Sequence, residues 1–325
     1  MSKLLNYDET IKQINSGKLL VISAPTEMIE KLPKGNYIAG SAYYFITEGK
    51  GEEDNDKYYV EELSNDIIKD YKIITYDEGD IKDINKNIPQ NGFGYCLIPF
   101  ACKTHFEFAL NAPNYNEFAI KALYGFITEV RKEDIGVKNA IVKDGLTGTI
   151  YDNKAITLNV ELQDSYSAEI DIINPFESDR TKRIEFLEDS FEVRKALING
   201  KELNLVEYLK ENNIDTRYPI MNDTAGAKVN VSFFKIEEDK VIMGSPVFKG
   251  ATYYFTKVTD YTEELSKIKV DEKPYLSCNC FLNYIYMDLE GKSLNKAISG
   301  PTTFGEIAYR LLNQTIVNLY IKSTC

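Results

Sequence analysis

Near its carboxyl terminus the chain reads Ser277-Cys-Asn-Cys-Phe-Leu-Asn-Tyr284 and then Gly300-Pro-Thr-Thr-Phe-Gly-Glu306. The apolar positions of the first segment have helical spacing, which predicts a helix capped by Ser277. Cys278 would then lie in the first turn, where the helix dipole and the unpaired amides lower the pKa of a thiol and favour an anion. The alternative is that Cys278 and Cys280 are small buried apolar side chains.

The second segment predicts another helix start. Thr303 and Glu306 have the spacing of a capping box, and the apolar positions from Ile307 to Leu312 would supply the buried face of that helix. Alternatively, Glu306 is a buried acid or receives a ligand amine. Asn279, in the first turn of the helix predicted from Ser277, could bond a ligand or only the end of that helix. Gly305 allows close backbone approach, which either a tight turn or a binding site would use.

Together with the closing segment Asn313-Gln-Thr315, these segments resemble the carboxyl-terminal signature of the FIST family of bacterial ligand-sensing domains. Members of that family pair a cysteine after a strand with a later Gly-Glu-Ile, as Cys278 and Gly305-Glu-Ile307 do here. Gly40 and Ser41 match the Gly-rich strand of the family's amino-terminal half. One departure is that the family's cysteine is often followed by Gly-Arg, which is missing here, so helix amides would have to replace the guanidinium group on a carboxylate.

The segments rich in β-forming residues outnumber the helical ones, which favours an α+β fold. We predict strands at Leu19–Ile22, Tyr37–Thr47, Tyr58–Leu63, Tyr71–Thr75, Tyr95–Ile98, Ala155–Leu162, Ala168–Ile173, Phe191–Ile198 and Val229–Ile236, and helices at Asp8–Asn15, Leu203–Leu209 and Glu263–Ile268. The resemblance refines this prediction to two interlocked FIST-like halves, 1–222 and 223–325, in which layered mixed or antiparallel sheets are flanked by helices.

The charge balance argues against nucleic acids and membranes as partners. The chain has 38 Lys and Arg against 50 Asp and Glu, so its formal net charge is −12, and its calculated pI is about 4.9. Such a field repels phosphate backbones and anionic lipids. No run approaches the roughly 18 apolar residues of a membrane helix, and the five cysteines show no framework spacing. We therefore expect a cytoplasmic protein with free thiols.

The sequence contains a single histidine, His105. Zinc sites and acid–base triads usually use several histidines or paired cysteines, so we expect no metal and no cofactor. A lone histidine beside phenylalanines is typical of a core or helix-end side chain. The alternative is that His105 serves as a base for Cys102 or Cys278, which the sequence cannot test.

Three functions remain open at this point. The resemblance implies a small-molecule-binding protein of the sensory or signal-transduction class, with an amino acid or a small carboxylate as ligand and a homodimer or a separate signalling partner as output. Its ligand site would be formed by Cys278, Asn279, Thr303, Gly305, Glu306, Gly40 and Ser41. The second possibility is a cofactor-independent enzyme with Cys278 as nucleophile and Glu306 or His105 in proton transfer. The third is a structural or adaptor protein without a ligand.

Overall fold

The computed structural model describes residues 2–224, 227–260, 263, 267–268, 270, 272–286, 288–290, 295 and 298–324. Over these described residues the fold is mostly β, with 45% strand, 16% helix and five sheets. The predicted α+β class with flanking helices is therefore wrong. The main physical reason for the error lies near the carboxyl terminus. Two segments there have helical apolar spacing but form strands over much of their length, because they pair with strands that are distant in the sequence.

The chain divides into two compact units. The first consists of Met1–Ile172, Lys269–Leu311 and Ile316–Cys325, and the second of Ile173–Ile268 and Leu312–Thr315. The second unit is thus inserted into the first at two places in the sequence. The boundary predicted between residues 222 and 223 divides the chain into two sequence halves and not into these compact units, so it stays a prediction.

Sheet 1 of the first unit has the order β1-β6-β2-β3-β10-β11, with strands numbered along the chain. Its strands are Ser2–Leu5 (β1), Tyr58–Leu63 (β6), Leu19–Ala24 (β2), Tyr37–Ser41 (β3), Val142–Asp144 (β10) and Ile150–Tyr151 (β11). All six residues of β2 are buried, as expected for a strand covered on both faces. β2 pairs in parallel with β3 and antiparallel with β6.

Sheet 2 of the first unit has the order β26-β25-β9-β8-β12-β7. Its strands are Arg310–Leu312 (β26), Glu306–Ala308 (β25), Ala122–Thr128 (β9), Gly92–Pro99 (β8), Ala155–Leu162 (β12) and Ile68–Tyr76 (β7). β8 and β9 are parallel, and Gly125 of β9 has a φ of 155°. A Cβ at Gly125 would lie 1.9 Å from the carbonyl oxygen of Cys96, so only glycine fits there.

Sheet 3 of the first unit has the order β13-β27-β23-β24-β4-β5. Its strands are Tyr166–Ile173 (β13), Ile316–Ser323 (β27), Leu276–Cys280 (β23), Gly300–Thr303 (β24), Tyr44–Thr47 (β4) and Lys50–Glu53 (β5). β23 is buried at every position between antiparallel β27 and parallel β24. This sheet brings the carboxyl-terminal segments beside the amino-terminal hairpin β4–β5.

The second unit contains the other two sheets. Sheet 4 has the order β17-β16-β14-β22-β18-β19, and sheet 5 the order β15-β21-β20. Their strands are Lys201–Asn204 (β17), Lys195–Ile198 (β16), Ile184–Glu185 (β14), Thr252–Phe255 (β22), Ile220–Thr224 (β18), Ala227–Val231 (β19), Ser190–Val193 (β15), Val241–Val247 (β21) and Phe233–Ile236 (β20). Apolar residues of both sheets, including Val231, Val241 and Tyr253, form one core cluster.

Five α-helices lie in the described parts of the chain: Tyr7–Asn15 (α1), Thr26–Ile29 (α2), Lys103–Asn111 (α3), Leu205–Glu211 (α4) and Phe281–Tyr286 (α5). Short 3₁₀ helices span Ile81–Asn87, Ala112–Asn114 and Lys132–Asp134. α1 confirms the helix predicted at Asp8–Asn15 and begins at a capping box in which Asn6 and Glu9 bond each other's backbone amides. α4 confirms the second predicted helix, whereas the segment predicted as a helix at Glu263–Ile268 lies largely outside the described residues.

Lys143 of β10 is a buried cation held by backbone carbonyls. Its ammonium group donates to the carbonyl oxygens of Ile29, Glu30 and Leu32, at 3.0, 3.2 and 2.7 Å. These carbonyls belong to the end of α2 and the residues after it, where a helix leaves its last acceptors without intrahelical donors. Lys143 therefore satisfies the end of α2 and ties it to sheet 1.

We predict that Lys143→Met lowers the free energy of unfolding by about 2–4 kcal/mol, because buried carbonyls would lose a charged donor. The measurement is the urea midpoint at constant slope. Lys138→Met is the matched control, since the Lys138 side chain is 58% exposed and pairs with Asp134 at the surface. The control should change stability by less than about 0.5 kcal/mol. Equal effects of the two substitutions would contradict this role of Lys143.

Candidate functional site

Cys278 lies in a strand and not in a helical turn. β23 extends to Cys280, and α5 begins only at Phe281, so the predicted helix start at Ser277 is wrong. The Cys278 thiol is buried, and it donates a long hydrogen bond to the carbonyl oxygen of Gly125, at 3.6 Å. Burial raises its pKa well above the usual value, and the nearby Glu306 raises it further. The thiol is thus held protonated, which is the opposite of activation.

Thr303 and Glu306 do not form a helix capping box. Thr303 ends β24 and Glu306 begins β25, and the predicted helix behind them is replaced by β25 and β26. The Thr303 hydroxyl lies 3.2 Å from the carbonyl oxygen of Asn279 and 3.4 Å from Oε1 of Glu306. Glu306 is fully buried. This burial fits the alternative of a buried acid, and a ligand role for Glu306 stays a prediction.

Gly305 allows the turn between β24 and β25. Its φ is 153°, and its carbonyl oxygen accepts from the amide of Ile127 at 2.8 Å. The helix α5 begins at Phe281, so Cys278 does not lie in its first turn as the predicted anion site requires. Cys278, Asn279, Thr303, Gly305 and Glu306 nevertheless lie in one buried region, joined by the contacts of Thr303 and Glu306.

Gly40 and Ser41 pack against the end of β9. A Cβ at Gly40 would lie 2.6 Å from Cγ2 of Thr128, so the glycine permits close packing of sheets 1 and 2. The Ser41 hydroxyl donates to the carbonyl oxygen of Glu129 at 2.7 Å and accepts from the amide of Ile141 at 3.0 Å. These contacts are those of a closely packed strand, and the assignment of Gly40 and Ser41 to a ligand site stays a prediction.

A cluster that the sequence reasoning missed lies beside β4. Tyr44 packs against Phe281 and Tyr284 of α5, with ring centroids 4.7 and 5.3 Å away, and each of the three residues is buried. Glu129 follows β9 and is 1% exposed, while Glu53 at the end of β5 is exposed. We call Tyr44, Phe281, Tyr284, Glu129 and Glu53 the aromatic–acid site.

Only one of the two oxygens of the Glu129 carboxyl group has a hydrogen-bond partner among the described residues. Oε1 accepts hydrogen bonds from the amides of Tyr43 and Tyr44 at 2.6 and 3.2 Å. Oε2 is buried and has no hydrogen-bond partner within the described part of the chain. Burial raises the pKa of Glu129 well above its usual value, and the charge of Glu53 adds to this increase. Burial therefore favours the neutral form of Glu129, and one oxygen of its carboxyl group has no hydrogen-bond partner among the described residues.

The hydroxyl group of Tyr284 is also buried without a partner among the described residues. Burial raises its pKa, and so do the charges of Glu290 and Glu53. Burial likewise raises the pKa of Tyr44 to about 12, with Glu53, Glu129 and Glu133 contributing. Several acidic side chains therefore act on this site, and the electrostatic potential there is negative. The sequence signal was the pair Tyr43-Tyr44 before an acidic run, but nothing local connected it to Glu129 or Tyr284.

His105 lies in α3 and is buried. Its Nδ1 accepts from the amide of Ala101 at 3.2 Å, and its ring packs against Phe100 and Phe106. Burial lowers its pKa to about 4. Cys102 caps the same helix by accepting from the amide of His105 at 3.4 Å, and burial raises the pKa of this thiol as well. These contacts are those of a buried side chain in the first turn of α3, which agrees with the interpretation of His105 as a core or helix-end residue.

A second buried polar cluster connects the sheets of the first unit. The Tyr95 hydroxyl of β8 donates to Oε2 of Glu61 of β6 at 2.7 Å. Tyr95 packs edge-on against Tyr124 of β9 at 4.9 Å, and Tyr124 lies beside the Cys278 thiol. Burial raises the pKa of Glu61 to about 7, and the bond from Tyr95 opposes this increase. Ionisation of Glu61 therefore falls near neutral pH.

Two features are absent from the described residues. No group of three or more His, Cys, Asp or Glu side chains is placed to hold a metal ion there. Within the same residues, no helix has the length and apolar character needed to cross a membrane.

A family model matches residues 5–322, and its description is a family of unknown function, DUF6976. The chain belongs to this family. The predicted FIST assignment is therefore wrong, because the matching model covers nearly the whole chain and is a different one. The motifs behind that assignment are short, and Cys278 and Glu306 lie in strands instead of the predicted helix starts. No curated protein matches the chain significantly.

We predict that Cys102 is the first of the four described thiols to react with iodoacetamide in the native protein. Cys102 is partly exposed and lines an open cavity of about 470 Å³, whereas Cys96, Cys278 and Cys280 are buried. The experiment uses Cys325→Ser protein and locates the label by peptide mass spectrometry. Cys102→Ser should abolish the early label. Rapid and selective labelling of Cys278 would instead support the thiol-enzyme alternative.

We predict that stability falls as pH rises from about 4.5 to about 7, because native Glu61 holds its proton up to a pKa of about 7 and the unfolded chain releases it near 4.5. A difference of one pH unit between the native and the unfolded pKa corresponds to about 1.4 kcal/mol. The free energy of unfolding should therefore fall by up to about 3 kcal/mol over this range.

Chemical unfolding of wild-type protein and Glu61→Gln over this pH range measures the loss, and the variant should lack this part of the slope. Tyr95→Phe removes the bond that opposes the raised pKa of Glu61, so it should extend the loss to higher pH. Identical pH profiles for wild type and Glu61→Gln would refute the assignment.

Proposed function

We propose that this protein binds a small molecule through a positively charged amine or ammonium group, at the aromatic–acid site. The observation that carries the proposal is that Tyr44, whose ring packs against Phe281 and Tyr284, donates its backbone amide to the buried Glu129 carboxyl group, whose second oxygen has no partner among the described residues. An unsatisfied buried polar atom is costly, and a ligand donor or cation would remove that cost. An amino acid fits this class through its ammonium group.

The rings supply the attraction that a cation needs. A cation near the face of a tyrosine or phenylalanine gains about 0.5–1 kcal/mol when exposed and about 2 kcal/mol when desolvated. Tyr44, Phe281 and Tyr284 are buried, so a cation bound against them would be desolvated and would gain the larger amount. Glu53 and Glu290 are exposed and acidic, and they raise the pKa of Tyr284, so their field also attracts a cation from solvent.

The other hypotheses have weaker support. A carboxylate ligand would meet the buried acids Glu129 and Glu306, and the six-residue α5 offers it little help. A thiol-dependent enzyme would need an ionised Cys278, whose pKa is instead raised by burial. A structural or adaptor role predicts that no ligand changes stability. A sensory output and a cytoplasmic location stay predictions.

The test is a thermal-shift screen with choline, amino acids, small carboxylates and nucleotides. A ligand at 100 times its Kd contributes about 2.7 kcal/mol, which should raise Tm by about 5 °C or more. Choline is paired with its uncharged carbon analogue 3,3-dimethylbutan-1-ol, which has a similar shape. We expect shifts with cationic compounds and none with the analogue.

Two variants locate the effect. Tyr284→Leu should weaken binding of the cation by about tenfold or more, because a ring that contacts the charge is lost. Phe234→Leu is the matched control, since Phe234 is 38% exposed and belongs to the second unit. An unchanged Tm with every cation, or equal loss in both variants, would contradict the proposal and favour an adaptor role.

A further inference from the structure

We propose that Glu129 determines the charge specificity of the ligand by exchanging its own proton for the cation. The neutral carboxyl group of the empty protein releases H⁺ to solvent, and the resulting carboxylate pairs with the bound ammonium group. This inference rests on the proposed function and adds a residue role and a proton stoichiometry to it.

The geometry supports Glu129 in this role because its two oxygens have different tasks. Oε1 is fixed by the amides of Tyr43 and Tyr44, so the carboxyl group is held in one orientation. These amides stabilise a negative charge when it forms. Oε2 is buried and has no partner among the described residues, so it is available to a ligand.

The groups around Glu129 favour the neutral form while the site is empty. Burial makes the largest contribution to the raised pKa of Glu129, and Glu53 of β5 raises it further. Glu133 contributes to the same acidic field at Tyr44. The hydroxyl groups of Tyr44 and Tyr284 face this field and have raised pKa values of their own.

The nearby cation Arg131 is engaged elsewhere. Its guanidinium group lies 5.2 Å above the ring of Tyr43 and 3.7 Å from the carboxylate of Glu27. Neutralisation of Glu129 is consequently achieved by a proton in the empty protein. A bound cation would replace that proton and lower the pKa of Glu129.

This exchange has a defined pH dependence. Below the pKa of Glu129 in the empty protein, binding of one cation releases about one proton, so the affinity should rise about tenfold for each increase of one in pH. Above that pKa, Glu129 is already ionised, and the affinity should become independent of pH. Choline is the probe, because it has no group that titrates in this range, and any proton released on binding comes from the protein.

The experiment is isothermal titration of the full chain with choline between about pH 5 and pH 8, in pairs of buffers that differ in ionisation enthalpy. The dependence of the measured heat on the buffer gives the number of protons released without any substitution. We expect release of about one proton at the low end of the range, together with a rising affinity.

Glu129→Gln tests the residue directly, because glutamine keeps an oxygen for the amides of Tyr43 and Tyr44. We expect this variant to bind choline at least about tenfold more weakly and without proton release. Glu133→Gln is the matched control, since Glu133 is exposed and close to the same site. It should keep the proton release and most of the affinity.

Three results would overturn the inference. Choline binding by wild-type protein without proton release and without pH dependence would overturn it while leaving the proposed function intact. Equal affinity of wild type and Glu129→Gln for choline would do the same. Absence of choline binding at every pH would overturn both the inference and the proposed cation site.

Discussion

The hydrogen bonds between the Glu129 carboxyl group and the amides of Tyr43 and Tyr44 are the interaction on which the proposed site depends. They connect the residue after β9 in sheet 2 to the start of β4 in sheet 3. Tyr44 is thereby positioned against Phe281 and Tyr284, which come from a distant segment near the carboxyl terminus. A buried acid that orders two strands and retains an unused oxygen is costly unless another group uses it.

Local signals in the sequence predicted the elements that local forces determine. The helical apolar spacing over Asp8–Asn15 predicted α1, and the apolar run Leu19–Ile22 predicted β2. The prediction for the segment after Ser277 was wrong because its apolar spacing suits a helix, whereas pairing of β23 with β27 and β24 makes its first residues a strand. The Thr303–Glu306 spacing was misleading for the same reason, since β9 pairs with Glu306 from outside the segment.

The candidate site was predictable only in part. Cys278, Asn279, Thr303 and Glu306 do lie together, but their burial and the raised pKa of Cys278 do not suit the expected anion pocket. Glu129 carries no local motif, because its importance comes from burial and from contacts across sheets. Glu61 and Glu129 both belong to the first unit, and their raised pKa values mean that the folded chain holds protons which the unfolded chain would release.

The most direct test of the central claim is a crystal structure of the protein grown with choline at a concentration well above its measured Kd. The cation-site account predicts density for the ammonium group within about 6 Å of the ring centroids of Tyr44 or Tyr284, with Oε2 of Glu129 as its nearest charged oxygen. Density for choline elsewhere on the chain, with the aromatic–acid site unchanged, would contradict it.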